Sequence, residues 1–182
     1  MINSWHVATA AEAIAAAQFA RCGWDVSVQY GANQPEYDLL IDNKKYENSL
    51  KISVKGSKDG SWGLTQSFLK EANYHAAVDV WLAKHSTRTI FCLVQFKGTD
   101  LTDMPRIYLA TPEQIAVRLK ATANNRGDTI LYEKHVWTKR AHGWGTTEVL
   151  PEEWRFTEER LDWIAKHIDQ LKENHMTENS LI

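Results

Sequence analysis

The sequence lacks the residues and segments that define several protein classes. Only two of its 182 residues are cysteine, Cys22 and Cys92, and their wide separation excludes a disulfide framework and a cysteine-rich zinc site. The longest apolar runs, such as residues 90–94, are far shorter than the roughly 20 residues of a membrane span. Residues 1–9 contain no basic stretch followed by an apolar one, so we expect no secretory signal, no membrane partner and a cytoplasmic location.

The remaining composition is that of a folded protein of one domain. Apolar residues make up 43% and charged residues 24%, which excludes disordered, collagenous and coiled-coil chains. The net charge of −2 conceals a pattern, because residues 44–70 hold six lysines and two acids, and residues 106–142 hold seven basic and three acidic side chains. Residues 148–182 are acidic, with nine acids and four basic groups. The two basic segments are typical either of a surface that attracts a polyanion or of solvated faces.

Helix and strand patterns predict a mixed α/β fold. A capping box at Thr9 and Glu12 predicts a helix over residues 10–22, and Gly23 fits its end. The alternation of Leu50, Ile52 and Val54 with Lys51, Ser53 and Lys55 predicts a two-faced strand. The first three predicted strands form a meander: residues 25–30, 37–42 and 50–55.

The second half of the chain continues the alternation of helices and strands. Thr111 and Thr157 each stand at a helix start, the first of them followed by proline and a capping-box glutamine. The predicted order is a glycine-rich loop 56–63, a helical segment 64–73, buried strands 78–83 and 89–96, a strand 106–110, a helix ending before residue 124, extended segments 129–133 and 135–138, and a last helix after residue 157.

Asp38 and Lys55 are the polar pair most suggestive of chemistry. They lie on neighbouring predicted strands, and on a shared face they meet at the edge of the sheet beside the first helix, towards which Glu12 can point. Carboxylates hold Mg²⁺ through oxygen, while a lysine orients or deprotonates the attacking water and stabilises the charge of a pentavalent phosphorus. Two plainer interpretations stay open: a structural Asp38–Lys55 ion pair, and Glu12 as the capping partner of Thr9.

The segments Pro35-Glu36-Tyr37-Asp38 and Ser53-Val54-Lys55 resemble the signature of the PD-(D/E)XK nuclease superfamily, which includes restriction endonucleases and Holliday-junction resolvases. The resemblance covers about residues 9–96. It implies a restriction-endonuclease-like αβββαβ core with a mixed sheet flanked by helices over residues 1–98. Residues 99–182 are then a C-terminal α/β extension packed on the same domain.

The resemblance also implies roles for four residues. Asp38 and Glu12 are the expected metal ligands, and Lys55 is the expected catalytic lysine. Ser53 is the fourth expected site residue, although it stands where the family carries an acid. A hydroxyl is a poorer Mg²⁺ ligand than a carboxylate. Glu12 or Glu36 can replace the missing acid, or Ser53 can hold a water that binds the ion, or the fold persists without the metal chemistry.

The function implied is a nuclease-like protein that binds nucleic acid, with DNA expected, and hydrolyses phosphodiester bonds with Mg²⁺. The alternative is a catalytically degenerate nuclease fold that binds nucleic acid or a protein. Members of the family often work as dimers, so a homodimer is a further expectation.

The predicted nucleic-acid contacts come from both basic segments. Trp62 lies in the glycine-rich loop, where it can stack on a base or pack on the protein. Residues 135–145 interleave aromatic and basic groups, which fits a nucleic-acid surface or an aromatic hairpin packed on the core. The predicted contact residues are Lys44, Lys45, Lys51, Lys58, Trp62, Lys139 and Arg140.

Overall fold

A five-stranded mixed sheet with helices on both faces forms the centre of the molecule. A computed structural model describes residues 3–29 and 37–179, with side chains up to residue 170. The helices are α1 (Ser4–Arg21), α2 (Tyr74–Leu82), α3 (Pro112–Asn125) and α4 (Glu158–Asn179). The strands are β1 (Asp25–Val28), β2 (Leu39–Asp42), β3 (Leu50–Ser57), β4 (Ser61–Gly63), β5 (Thr89–Gln95), β6 (Arg106–Ala110), β7 (Ile130–Tyr132), β8 (Lys134–Val136) and β9 (Thr147–Val149).

The main sheet has the strand order β1-β2-β3-β5-β6. The meander β1-β2-β3 is antiparallel, β3 and β5 are parallel, and β6 returns antiparallel to β5. Helix α2 connects the two parallel strands. This is the predicted mixed α/β fold. The division of the chain into residues 1–98 and 99–182 stays a prediction. Strand β6 and helix α4, both from the second segment, complete the sheet and pack on its core.

The sheet separates two apolar cores. Helices α1 and α4 cover one face through Phe19, Leu161 and Ile164, and the odd-even pattern of β3 places Leu50, Ile52 and Val54 in that core. The other face packs against α2 and α3 through residues such as Trp81 and Leu119. Strand β5 is buried along its whole length, as its continuous apolar sequence predicts. None of the described helices combines the length and the apolar character needed to cross a bilayer.

Helix α1 begins six residues earlier than predicted. Asn3 is the N-cap, and its side chain accepts a hydrogen bond from the backbone N–H of His6 (3.0 Å) while the backbone N–H of Asn3 donates to Nδ1 of His6 (3.2 Å). The expected capping box of Thr9 and Glu12 is therefore wrong, because both residues lie inside the helix. Glu12 is left with no capping role.

Two further predictions fail between β3 and β5. Residues 78–83 were expected as a strand, but Val78 and Trp81 lie in α2, whose N-cap Asn73 accepts from the N–H of Ala76 (3.0 Å). A short apolar run does not distinguish a buried strand from the buried side of a helix. Most of segment 64–73 is also not helical. It contains one turn of 3₁₀ helix, Gln66–Phe68, and the left-handed backbone of Glu71 and Ala72 precedes α2.

The predicted glycine-rich loop is in part a hairpin. Strand β3 continues through Gly56 to Ser57, and β4 returns and pairs with β7. Asp59 closes the turn, since its Oδ1 accepts from the N–H of Ser61 (3.0 Å) and from the hydroxyl of Ser57 (3.0 Å). Farther on, the N-caps Thr111 and Thr157 are confirmed, while β9 follows no pattern noted in the sequence. The predicted turn at residues 31–35 lies outside the described residues.

Gly56 permits the closest approach of α1 to the sheet. A Cβ at this position would lie 2.8 Å from the carbonyl oxygen of Val7 and 2.9 Å from Cβ of Ala11. Both atoms belong to the rigid inner face of α1 and cannot swing aside. The absence of a side chain at Gly56 therefore sets the distance between α1 and β3.

We expect Gly56→Ala to lower the free energy of unfolding by about 1–3 kcal/mol, because overpacking forces the helix away from the strand. Urea unfolding followed by circular dichroism measures this loss. Gly98→Ala is the control: its φ is +69° but no atom lies within 4 Å of the new Cβ, so it carries only the left-handed backbone cost of about 1 kcal/mol. A Gly56→Ala protein as stable as the wild type would contradict this account of the contact.

Candidate active site

The register of β2 on β3 brings three of the predicted site residues to one face of the sheet. Leu39 pairs with Ile52, and the N–H of Asp38 donates to the carbonyl of Ile52 (2.8 Å), so Asp38 lies across from Ser53. Side chains two residues apart on a strand share a face, which places Lys55 beside them. The expectation that Asp38 and Lys55 share a face is confirmed.

A backbone hydrogen bond fixes the carboxylate of Asp38. The N–H of Val54 donates to Oδ2 of Asp38 at 2.6 Å. The carboxylate thus occupies the place of a strand carbonyl in the β2–β3 ladder, and it is oriented by the sheet itself. Within the described ranges 3–29 and 37–179, no hydrogen bond occupies its second oxygen, and Asp38 lines the cleft.

Lys55 lies half-buried at the same end of β3. The indole Nε1 of Trp62 donates to the carbonyl of Lys55 (2.8 Å), which holds β4 against this part of β3. Among the described residues no ion pair includes Lys55, so the structural Asp38–Lys55 bridge considered from the sequence is absent. The ammonium group is therefore available to a ligand.

Glu12, on α1, lies beside Asp38 and Lys55. Burial raises the pKa of the Glu12 carboxyl, the negative charge of Asp38 raises it further, and the positive charge of Lys55 acts in the opposite direction. The three charged groups border one hollow, which is why they influence one another. The close packing of α1 at Gly56 is what brings the helix glutamate to the end of the sheet.

The four residues line a divided cleft. One hollow, of about 280 Å³, is bordered by Glu12, Asp38 and Lys55. The second, of about 230 Å³, is bordered by Asp38, Lys55 and the 4% exposed Ser53. Asp38 and Lys55 border both hollows, so they stand at the junction between them.

The second hollow contains residues that the sequence did not single out. Tyr37, Trp81, His85 and Phe91 line it together with Gly63 and Leu64. The ring of His85 lies edge-on to Trp81 and Phe91, with centroids 4.6 and 5.1 Å apart. No spacing rule identifies His85, because it follows α2 in a polar turn and reaches the cleft only through the fold.

Among the described residues, Glu12 and Asp38 are the acids that line this cleft, while Glu36 lies outside the described residues. Within the described part of the chain, no group of three or more His, Cys, Asp or Glu side chains is placed to hold an ion. Mg²⁺ needs fewer, because it keeps several waters and binds through one or two carboxylates together with substrate phosphates. The residue set therefore fits Mg²⁺ and does not fit a closed structural metal site.

The predicted nucleic-acid contacts are scattered over the molecule. Lys44 and Lys45 lie in the β2–β3 turn, at the opposite end of both strands from Asp38 and Lys55, and Lys45 pairs with Asp162 (2.9 Å). These two do not line the cleft. Lys51 lies on the cleft face of β3, with Nζ 5.2 Å from the centre of the Tyr37 ring.

Trp62 does not fit its predicted role. It is 3% exposed and packs in the core under α2 and α3, so its ring has no free face for a base. The packing alternative is the correct one. Lys58 is exposed near the start of the β3–β4 turn. Lys139 and Arg140 are exposed on the loop between β8 and β9.

Comparison with solved structures shows a likeness in fold. No protein-family model matches the chain, and no curated protein matches its sequence. The chain is similar in structure to a bacterial homing endonuclease, I-Ssp6803I, with a TM-score of 0.50 and 12% sequence identity, over 91% of this chain and 95% of that chain. At this identity the likeness shows the fold alone, which is endonuclease-like.

We expect Glu12→Gln to raise the free energy of unfolding at pH 7, because it removes a partly buried charge that Asp38 repels. Solvent screening limits the gain to the order of 0.5 kcal/mol. A raised folded-state pKa of an acid means that stability is lost as the pH rises through it, so the advantage of the variant should shrink towards pH 4, where the wild-type carboxyl is increasingly protonated.

Urea unfolding at pH 4 and pH 7 measures this difference. Glu47→Gln is the matched control, because Glu47 is exposed in the β2–β3 turn and its replacement should have little effect. If Glu12→Gln were instead less stable at pH 7, the carboxylate would be stabilised by a partner and the crowding of charge described above would be wrong.

Proposed function

We propose that this protein binds nucleic acid and hydrolyses phosphodiester bonds with Mg²⁺, as a relative of the PD-(D/E)XK nucleases. The observation that carries the proposal is the convergence of Glu12, Asp38 and Lys55 on one cleft. These are the residues that the sequence resemblance assigns to metal binding and catalysis. The endonuclease-like fold supports the same conclusion.

The two carboxylates have a chemical reason to take up a cation. Glu12 and Asp38 repel each other in a partly desolvated cleft, and a divalent ion would remove that repulsion. Ser53 would add a neutral oxygen beside Asp38, and water and substrate phosphate would supply the remaining ligands of a bound Mg²⁺. Mg²⁺ held there would supply Lewis-acid polarisation of the phosphoryl oxygen and a more acidic bound water.

Lys55 serves the reaction through its charge. Its ammonium group donates to the attacking water or to a non-bridging oxygen of the scissile phosphate. The water oxygen gives up a proton to solvent and forms the new P–O bond, while the bond to the leaving sugar oxygen breaks and that oxygen takes up a proton. The pentavalent transition state carries additional negative charge. A preorganised cation in a half-buried site stabilises that charge more than it does in water.

A binding-only protein is the second candidate function, and Ser53 is the observation that favours it. A neutral hydroxyl stands where PD-(D/E)XK enzymes carry an acid, which weakens any metal site. In this case the cleft binds nucleic acid or a protein and hydrolyses no phosphodiester bond.

We expect the wild-type protein to nick or cleave plasmid or branched DNA in the presence of Mg²⁺ or Mn²⁺. Lys55→Ala and Asp38→Asn should lower the rate by at least about 100-fold, because each removes a group that acts on the transition state. Lys44→Ala, a change of the same type at the far end of the sheet, should cleave at the wild-type rate. Equal cleavage by wild type and Lys55→Ala would exclude the catalytic role.

We also expect Mg²⁺ to stabilise the wild-type fold, by about 1.4 kcal/mol at ten times its dissociation constant. Thermal unfolding with and without Mg²⁺ measures the shift. Glu12→Gln and Asp38→Asn should lose most of it, and Glu47→Gln should retain it.

Ser53→Glu separates the two candidate functions in the same measurement. If Mg²⁺ raises the Tm of the wild type and raises that of Ser53→Glu further, the result supports the enzyme function. If Mg²⁺ raises the Tm of Ser53→Glu but not that of the wild type, the site of the wild type is degenerate. An equal shift in wild type and Asp38→Asn would show that the ion binds elsewhere.

A further inference from the structure

Strands β8 and β9 form a two-stranded ribbon separate from the main sheet. We name residues 134–149 the β8–β9 arm. Lys134 pairs with Val149 and Val136 with Thr147, and residues 137–146 make the tip. The segment 135–145, which interleaves aromatic and basic residues, therefore belongs to this hairpin.

The tip of the arm has a defined shape. Three turns follow each other, in which the N–H groups of Ala141, Trp144 and Thr146 donate to the carbonyl three residues earlier at 2.9–3.1 Å. The ring of Trp137 covers Gly143, where a Cβ would lie 2.7 Å from it. Trp137 is therefore a packing residue of the tip.

A buried acid attaches the arm to α3. Glu148 is 7% exposed and accepts hydrogen bonds from Nη2 of Arg118 (2.9 Å), the N–H of Ala123 (3.1 Å) and Nε1 of Trp137 (3.2 Å). At the root of the arm, Arg106 neutralises Glu133 (2.6 Å). Both acids at this hairpin are thus paired internally.

The exposed charges of the arm are consequently all positive. Lys134, Lys139 and Arg140 project into solvent, and no described residue forms an ion pair with them. Trp144 is 59% exposed and has no aromatic or cation partner among the described residues. A large ring beside unpaired cations is complementary to a nucleic acid, which offers both bases for stacking and phosphates.

The arm also begins beside the cleft. Strand β7, which leads into it, pairs with β4, and the N–H of Glu133 donates to the carbonyl of Gly60 (2.9 Å). Ser61 and Gly63 of β4 border the cleft. With about 5 Å between paired strands and about 10 Å along β8, the tip can reach roughly 15–20 Å from the cleft, or a few nucleotides.

We propose that the β8–β9 arm grips the nucleic-acid substrate outside the cleft, with Lys139 and Arg140 on phosphates and Trp144 stacked on an unpaired or extruded base. The proposal rests on the proposed function, and it adds a substrate class. A base inside a regular duplex has both faces covered by its neighbours, so an exposed ring stacks well only where the strand is single or distorted. The arm therefore favours single-stranded or branched nucleic acid over regular duplex.

The test measures binding without cleavage, in EDTA, by fluorescence anisotropy of labelled single-stranded, branched and duplex oligonucleotides. Trp144→Ala should weaken binding to the first two by roughly 5- to 100-fold and affect duplex less, while Trp144→Phe should restore most of the loss. Lys139→Ala/Arg140→Ala should weaken all three and lower the slope of log Kd against log salt by about 2.

Matched controls lie outside the β8–β9 arm. Trp163→Ala removes another exposed tryptophan, on α4, and Arg21→Ala/Lys166→Ala removes two exposed cations, on α1 and α4. Neither should change the affinity by more than about twofold. Circular dichroism of each variant checks that the fold is intact.

The possible failures are distinguishable. If the wild type binds and cleaves but the arm variants match it in affinity and KM, the arm proposal is wrong and the proposed function stands. Equal losses of affinity in the arm variants and the controls would also overturn the arm proposal, because the effect would then come from the overall charge of the protein and not from the arm. If the wild type binds no nucleic acid, both proposals fail, and binding of the arm to acidic vesicles or a second copy would identify its actual partner.

Discussion

The candidate site depends on the register of β2 on β3. Because side chains alternate between the faces of a sheet, a slip of one residue would turn Asp38 away from Ser53 and Lys55. The carboxylate of Asp38 itself helps to fix the register, since it accepts the N–H of Val54 where a strand carbonyl would otherwise do so. One oxygen of Asp38 thus accepts a backbone hydrogen bond of the sheet, while the side chain also lines the cleft.

Glu12 enters the site by a different route, which is packing between α1 and the sheet. Gly56 follows Lys55 directly, and its missing side chain lets the backbone of Val7 approach β3. The helix then delivers a carboxylate to a place already occupied by Asp38, and the raised pKa of Glu12 reflects that crowding. The fold therefore accepts an electrostatic cost at the cleft, as functional sites commonly do.

The sequence predicts the parts of this arrangement that depend on local pattern. The alternation from Leu50 to Lys55 predicts both faces of β3, and the acid and lysine at the strand ends predict where the site lies. Sequence patterns fail where tertiary contacts decide the local structure. Val78 and Trp81 belong to a helix and not to a strand, and Trp62 packs in the same core although its sequence resembles a loop. His85 reaches the cleft by the folding of a turn, which leaves no periodic signal.

Ser53 is consistent with the charge of its surroundings. It lies across from Asp38, beside Phe91 of the neighbouring strand, and almost no solvent reaches it. A third carboxylate there would add repulsion to the two acids already present, in a place where water cannot relieve it. A serine retains an oxygen facing the cleft without that repulsion. Under the proposed function, an acid at position 53 would bind a metal ion more strongly than serine does but would destabilise the metal-free fold, so affinity for the ion and stability without it would make opposite demands on one position.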